Sequence, residues 1–549
     1  MEKRVLLALA ISFLVLGFYP VILQKFYPQS AKTSPTASLE PLPSSPASGN
    51  LKGSDLRGAV SPAFLGDTER LLQEEDLAIG NERVKAVFNK KGGLVREISF
   101  PRFADPKTQE GLKFLSADSS GSLPGLVSLS PDGMQFKEAL TGYQAEERPG
   151  EILFVPSSDA DGVRIVKSWR LEKDSYASRL EIRLENASNA PKELYYQLFV
   201  GPSIAPRHSI DSQYIEANFY SDVDGKKVLQ HPKESKRGKV VTSQGKLEWA
   251  ATKDRHFSII FKPLSGTFKG AVQGLGNHEF QVFLLSEKIA LPAGGAIQHD
   301  FLVYHGPNDI QELLPQGLDP IVNFGKLDLF GKLLVGGLEL LHKVFRNYGI
   351  AIIALTTLIN VLLFPLTRVS YLSMKRMQLV QPKVNQLRQQ HGKNPEKMNR
   401  ELMELYKKHK VNPFGGCLPM LLQMPVFVAL YVALSKSVAL LNEGLLWIRD
   451  LSLPDSVQLP MALPLLGKEA HLLPLIMVGA MVIQQKFTQV KMEGQDPSVE
   501  MQQKMMAVLM PIVFGFVFYS MPSGLVLYWL TNTLLMTVYQ LRLKSVTLT

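Results

Sequence analysis

The sequence predicts an α-helical polytopic membrane protein of six spans, five of them forming a core. It adds a large all-β sandwich domain on the outer side and a helical hairpin on the cytoplasmic side. Three observations predict this. From Met505 to Leu541 the chain runs 37 residues without a charge, interrupted only by Met521-Pro522-Ser523-Gly524. Tyr348–Thr367 is a second uncharged stretch, and Arg368 opens a strongly basic segment directly after it. Between about 66 and 320, apolar residues alternate with period two, the pattern of half-buried strands.

A chain of 549 residues has room for several domains. Its 45% apolar content averages two unlike regions, mixed and polar over 28–330 and mostly apolar over 345–543. The net charge of +10 fits Lys and Arg collecting in cytoplasmic loops, where clustered cations also suit ribosomal RNA. Cys417 is the one cysteine, so no internal disulfide can form and no structural zinc site can be built from it alone. At the foot of an apolar run, it reads as a small packing residue.

Taken in order, Met1-Glu2-Lys3-Arg4 precedes an apolar run from Val5 to Leu23. A basic front and apolar middle fit a secretory signal. The run nevertheless approaches the ~20 residues of a full span, and no A-x-A-like site follows closely, so residues 1–24 are expected to remain as an anchor. A cleaved signal is the alternative. Residues 25–65 are rich in Pro, Ser and Ala, as in Pro41-Leu42-Pro43 and Ser45-Pro46, and read as a linker without a core. Residues 66–322 then form the sandwich. Arg179-Leu180-Glu181-Ile182-Arg183-Leu184-Glu185 alternates cleanly, and Ile297, His299, Phe301 and Val303 share a face. Gly92-Gly93, Asp224-Gly225 and Gly294-Gly295 mark turns between short strand-like runs.

The period changes over 325–346, where Leu327, Phe330, Leu334, Leu338, Leu341 and Phe345 recur three or four apart. This predicts an amphipathic helix along the membrane surface. Five spans follow, at about 347–367, 418–437, 471–488, 504–521 and 525–542, within a core of 347–543. The cytoplasmic insert 368–414 reads as a helical hairpin, with Gly392 to Pro395 as its turn, Asn394 as N-cap and Pro395 at the first helical position. Residues 367–417 hold 11 Lys/Arg against three Glu, whereas loop 442–470 holds only Arg449 and Lys468. The positive-inside rule therefore puts the hairpin and both termini in the cytoplasm and the sandwich in a periplasm-like space.

Several uncharged polar groups lie at membrane depth: Thr356 and Asn360, Gln423, Gln484 beside Gln485, and Thr531-Asn532-Thr533. A buried amide costs energy unless hydrogen-bonded, so these side chains should face one another or water. Interhelical glue explains any one of them; a set spread over several spans also suits a shared wet cavity. No span carries an internal Asp, Glu, Lys or Arg, which argues against a proton relay or an ion-coupled transporter. There is no P-loop or other nucleotide motif, and no cofactor, metal site or enzymatic activity is expected. Asp222-Val223-Asp224-Gly225 reads as a hairpin turn rather than a calcium loop, and His208 with Asp211 and Glu216 makes a thin case for acid–base chemistry.

Phe364-Pro365-Leu366-Thr367, Gln381-Pro382-Lys383, the run from Val411 to Pro419, Gln423-Met424-Pro425, Met501-Gln502-Gln503-Lys504 and Pro522–Trp529 occur in an order that resembles the YidC-type membrane protein insertases. The anchor, linker and outer β domain resemble the Gram-negative form, by layout more than by motif. The resemblance implies an inner-membrane insertase and chaperone for nascent membrane proteins, acting alone or with the Sec translocon. Its five core spans would enclose a hydrophilic groove open to cytoplasm and lipid. Carried onto this chain, Thr356, Asn360, Gln423, Gln484, Thr531 and Asn532 would line that groove, and Met424, Phe427, Tyr528 and Trp529 would lie on the path of the apolar segment. Tyr528 and Trp529 also read as interface aromatics. Arg368, Lys375, Arg376, Lys383, Arg388, Lys407 and Lys408 on the hairpin would meet the ribosome or the signal-recognition-particle receptor. Many family members carry an arginine where this chain has Asn360, so here the resemblance implies hydration rather than charge attraction. The rival readings are a polar-solute channel, a membrane-anchored periplasmic carbohydrate-binding protein, and a passive assembly scaffold.

Overall fold

The computed structural model describes residues 76–103, 111–115, 123–138, 142–208, 211–232, 236–276, 279–391, 394–409, 418–463, 467–488 and 497–544. The expected anchor, the linker and Cys417 lie outside them. The chain divides into two compact units, one holding Lys113–Asp254 and Ser258–Gly306 with the residues before Phe100, the other Phe100–Leu112, Arg255–Phe257 and Pro307–Thr549.

The first unit is built on two large sheets. A nine-stranded sheet has the spatial order Lys226–Gln230, Glu216–Val223, Lys246–Lys253, Phe257–Pro263, Ala296–Pro307, Ala177–Asn186, Val163–Leu171, Glu151–Pro156, Tyr143–Arg148. The seven-stranded sheet centres on Lys192–Pro202, Glu279–Ser286 and Phe268–Gly276. Alternation fixes which face looks inward: Leu180, Ile182 and Leu184 are buried and stand opposite Phe301, His299 and Ile297 in an antiparallel pair. Tyr196 and Phe268 of the smaller sheet meet that face. The Tyr196 hydroxyl lies 2.8 Å from His299 Nδ1, and the Phe268 and Phe301 ring centroids are 5.2 Å apart. The sheets approach so closely at Gly270 that an added Cβ would stand 2.6 Å from the Phe219 ring. A four-stranded sheet begun by Asp76–Gly80 brings Phe88 to within 5.3 Å of Trp169, centroid to centroid. Asp224-Gly225 is a two-residue hairpin turn with both φ positive, and Gly225 N–H donates to Asp222 Oδ1 at 2.8 Å. That carboxylate serves the turn. Asp211 likewise accepts from the His208 backbone N–H at 3.0 Å.

A lysine is among the polar residues buried in this interior. Lys167 is fully buried beneath Tyr143, 5.5 Å from the ring centroid, and donates to the Gly125 carbonyl at 2.8 Å and to the Gly92 carbonyl. Burial pushes its amine down to about 7. An unfolded chain keeps a lysine pKa of about 10.4. Between those values the unfolded state holds a proton that the folded state has released, so stability rises with pH through that window. Urea denaturation of the full-length protein in detergent, followed by β-sheet circular dichroism, is expected to show a gain of roughly 2–3 kcal/mol from about pH 7.5 to 9.5. The gain should be absent in Lys167→Met, and equal pH slopes in the two proteins would rule the amine out as its source.

The second unit is helical. Its longer helices are α1 (Asp328–Phe345), α2 (Tyr348–His391), α3 (Pro395–Lys408), α4 (Leu418–Lys436), α5 (Leu472–Thr488), α6 (Pro497–Phe518) and α7 (Ser523–Lys544). Within α2, Tyr348–Met377 is long and apolar enough to cross a membrane; Gln423–Lys436, Leu472–Phe487 and Ala507–Phe518 are shorter apolar segments. The expected single apolar stripe on α1 is instead split. Leu338 packs inward, where α1 meets α2 and α4, while Leu329, Phe330, Leu333, Leu340 and Val344 are exposed. The apolar stretch and the first hairpin arm form one 44-residue helix that passes through Pro365 and Pro382. α3 folds back on it as the Asn394-Pro395 pair predicts, with the Asn394 side chain accepting from Lys397 N–H at 3.2 Å. Val380 and Val384 pack there against Met377, Leu402, Leu405 and Tyr406.

Candidate functional site

Three helices begin at one loop. Asn347, just before α2, donates to the Gly444 carbonyl at 3.0 Å. The α5 N-terminus is capped by Asp455, whose Oδ2 accepts from Leu473 N–H at 2.8 Å. The α7 N-terminus gives Ser523 N–H to the Leu453 carbonyl at 2.8 Å and Gly524 N–H to the Leu451 carbonyl at 2.9 Å. Arg255, in the same unit, donates to the carbonyls of Ser435 and Ser452. Free N–H groups at helix starts need acceptors; residues 451–455 supply them for α5 and α7, while α2 is capped by Asn347, which the loop holds through Gly444. That shared floor makes α2 and α7 parallel.

Two polar bridges then reach α7 from its neighbours. Asn360 on α2 donates Nδ2 to Asn532 Oδ1 at 3.0 Å and to the Thr356 carbonyl at 2.9 Å. Asn360 and Asn532 are only 5% and 8% exposed. Counted at about 1.5 Å per residue, Asn360 lies roughly 18 Å along α2. One turn before Asn532, the buried hydroxyl of Tyr528 accepts from Gln423 Nε2 on α4. The nearby threonines turn inward on their own helices: Thr356 Oγ1 donates to the Ile352 carbonyl at 2.6 Å and Thr531 Oγ1 to the Leu527 carbonyl at 2.7 Å. Gln484 is half-buried on α5.

Beside the second bridge stands an aromatic cluster. The Trp529 ring centroid is 5.1 Å from Phe427, 5.1 Å from Phe514 and 5.2 Å from Phe518. These rings join α4, α6 and α7, and each such pair adds about 0.5–1.5 kcal/mol beyond its buried area. Met424, half-buried, follows Gln423 on α4. At the far end of α2 and on α3, Arg368, Arg376, Lys383, Lys407 and Lys408 are exposed and Lys375 is half-buried; the Arg388 side chain lies outside the described ones. Lys383 Nζ is 3.2 Å from His409 Nε2.

Residues 76–336 match the family described as "YidC periplasmic domain", and 340–548 match "60Kd inner membrane protein". A curated protein of Geotalea daltonii, named "Membrane protein insertase YidC", is 31% identical over 98% of this chain and 98% of its own. The chain belongs to the YidC membrane protein insertase family. A Pelobacter propionicus protein of the same name is 32% identical over 97% of each chain. The crystal structure of an active YidC insertase with its first transmembrane domain resolved aligns at 18% identity over 86% of this chain and 93% of its own, with a TM-score of 0.37. Membership rests on the sequence matches.

The structure thus brings Thr356, Asn360 and Asn532 together and pairs Gln423 with Tyr528, whereas the Thr531 hydroxyl serves its own helix. Sequence reasoning missed Asp455, Phe514 and Phe518. The two phenylalanines carried a signal, spacing of i and i+4 on one helix face. Asp455 carried none, because it stands 18 positions before the N–H it caps.

Interhelical hydrogen bonds in membranes average about 0.6 kcal/mol and reach about 1.7. A double-mutant cycle on Asn360→Leu and Asn532→Leu, read as unfolding free energy in bicelles, is expected to give a coupling of roughly 0.5–2 kcal/mol. Each single variant should lose more than the pair's mean share, because it strands the other amide. Coupling near zero would dissolve the bridge.

Proposed function

We propose that this protein inserts nascent segments into the inner membrane and helps them fold, without hydrolysing any bond. The observation that carries the reading is the set of neutral bridges at membrane depth, Asn360–Asn532 and Gln423–Tyr528, in otherwise apolar helices of a chain belonging to the insertase family. In this reading an incoming polar tail finds amides and hydroxyls part-way across the bilayer, so the hydrocarbon distance it must cross is shortened. The apolar part of the segment passes along α4 and α6, and its transfer into lipid supplies the free energy at about 25 cal/mol per Å² buried.

The layout extends the proposal. The core has five spans, built on α2, α4, α5, α6 and α7, and a sixth lies in the N-terminal anchor, with both termini cytoplasmic. The exposed cations along the inner part of α2 and on α3 meet the ribosome or a targeting receptor, and the Sec translocon is a second partner. The continuation of α2 beyond Arg368 with 11 Lys/Arg across 367–417 supports the cytoplasmic placement. The sandwich is an outer domain, and its removal should leave insertion intact, whereas a carbohydrate-binding protein would lose all activity.

Purified protein in liposomes should insert a small single-span substrate without Sec or nucleotide; failure there would favour a passive scaffold. Asn360→Arg should change insertion of acidic-tailed substrates by no more than about twofold, and Asn360→Leu should slow all substrates. A large gain for acidic tails in Asn360→Arg, with no effect of Asn360→Leu, would defeat the neutral hydrogen-bonding role.

A further inference from the structure

The amide pair joining α2 to α7 is closed on itself. Asn360 Nδ2 serves both Asn532 Oδ1 and the Thr356 carbonyl, and both asparagines are buried. Tyr528 and Asn532, four residues apart, share a face of α7, and each bonds a different neighbouring helix. While the bridges are made, Asn360 Nδ2, Asn532 Oδ1 and the Tyr528 hydroxyl are therefore engaged within the protein and must part before they bond an incoming group. The two ends of α7 are held differently. Its outer end is pinned by hydrogen bonds from Ser523 and Gly524 to the carbonyls of Leu451 and Leu453. Further in, α2 and α7 meet through the rings of Phe364 and Tyr539, centroids 5.2 Å apart, an apolar contact that an apolar segment can replace.

We propose that Asn360–Asn532 and Gln423–Tyr528 are substrate-opened latches, which part from the inner side to admit a segment and then bond its neutral polar groups. The proposal rests on the insertase reading. Its physical basis is exchange: a segment's backbone or hydroxyl groups take over bonds the helices give up, so no buried polar group is stranded. Amides and a phenol donate and accept alike. The latches consequently match peptide groups, hydroxyls and carboxamides, and they give no preference to acidic tails. Holding α7 at its outer end keeps the outer face shut while the inner half swings.

The test uses full-length protein in liposomes, with Cys417→Ser removing the one native cysteine. In that background Asn360→Cys/Asn532→Cys is locked by oxidation or by a short thiol cross-linker. Insertion of a single-span substrate is expected to fall at least about tenfold on locking and to return on reduction of the disulfide. A locked protein that still inserts within about twofold of its reduced form overturns the latch and leaves the insertase reading standing. Wild-type liposomes that insert nothing overturn that reading instead. Because replacing both amides can itself lower activity, Thr356→Cys supplies a second readout with the latches intact. Thr356 is buried, and a water-soluble maleimide should label this position at least about tenfold faster once a ribosome-stalled single-span segment is engaged. An unchanged labelling rate overturns the proposal.

Discussion

A polar side chain inside a bilayer has no water to fall back on, so each must end its hydrogen bonds on another part of the protein. In this chain α7 is where many of them end. Its first N–H groups are taken by the loop carbonyls of Leu451 and Leu453, Tyr528 receives Gln423, and Asn532 receives Asn360. The helix is thus fixed at one end by backbone and along its length by side chains from two neighbours. Remove α7, and α2, α4 and the floor loop would each carry stranded donors or acceptors.

These contacts are of two kinds. The floor is built from backbone bonds and a carboxylate cap, and the bridges further along α7 are neutral and side chain to side chain. Stranding a partner of either kind costs about 1–3 kcal/mol, so the floor end of α7 is the better held by the number of its bonds. Trp529 and its three phenylalanine neighbours add cohesion without direction, because ring contacts tolerate sliding better than hydrogen bonds do.

How much was legible beforehand follows the range of each signal. The alternation of Leu180, Ile182 and Leu184 is local and declared a strand with its buried face. Asn394-Pro395 declared a helix start, and Asp224-Gly225 a hairpin. That Asn360 and Gln423 needed partners was legible from their apolar surroundings. Which partners they take was not, because 172 positions separate Asn360 from Asn532 and no local pattern spans that distance. Lys167 was illegible for a similar reason: inside an alternating strand it resembles any surface lysine until Gly92 and Gly125 close over it. That the helix runs on past Thr367 was not legible, because the switch from apolar to basic residues at Arg368 marks a change of surroundings and interrupts no backbone hydrogen bond.

That continuation has a mechanical consequence. A 44-residue helix is about 66 Å long, roughly twice the thickness of the oily layer. Asn360 therefore sits on the same rod as His391, about 46 Å away. A body that leans on the C-terminal tip of α2 applies torque to the buried amide, with Pro365 and Pro382 as the points where the rod can give.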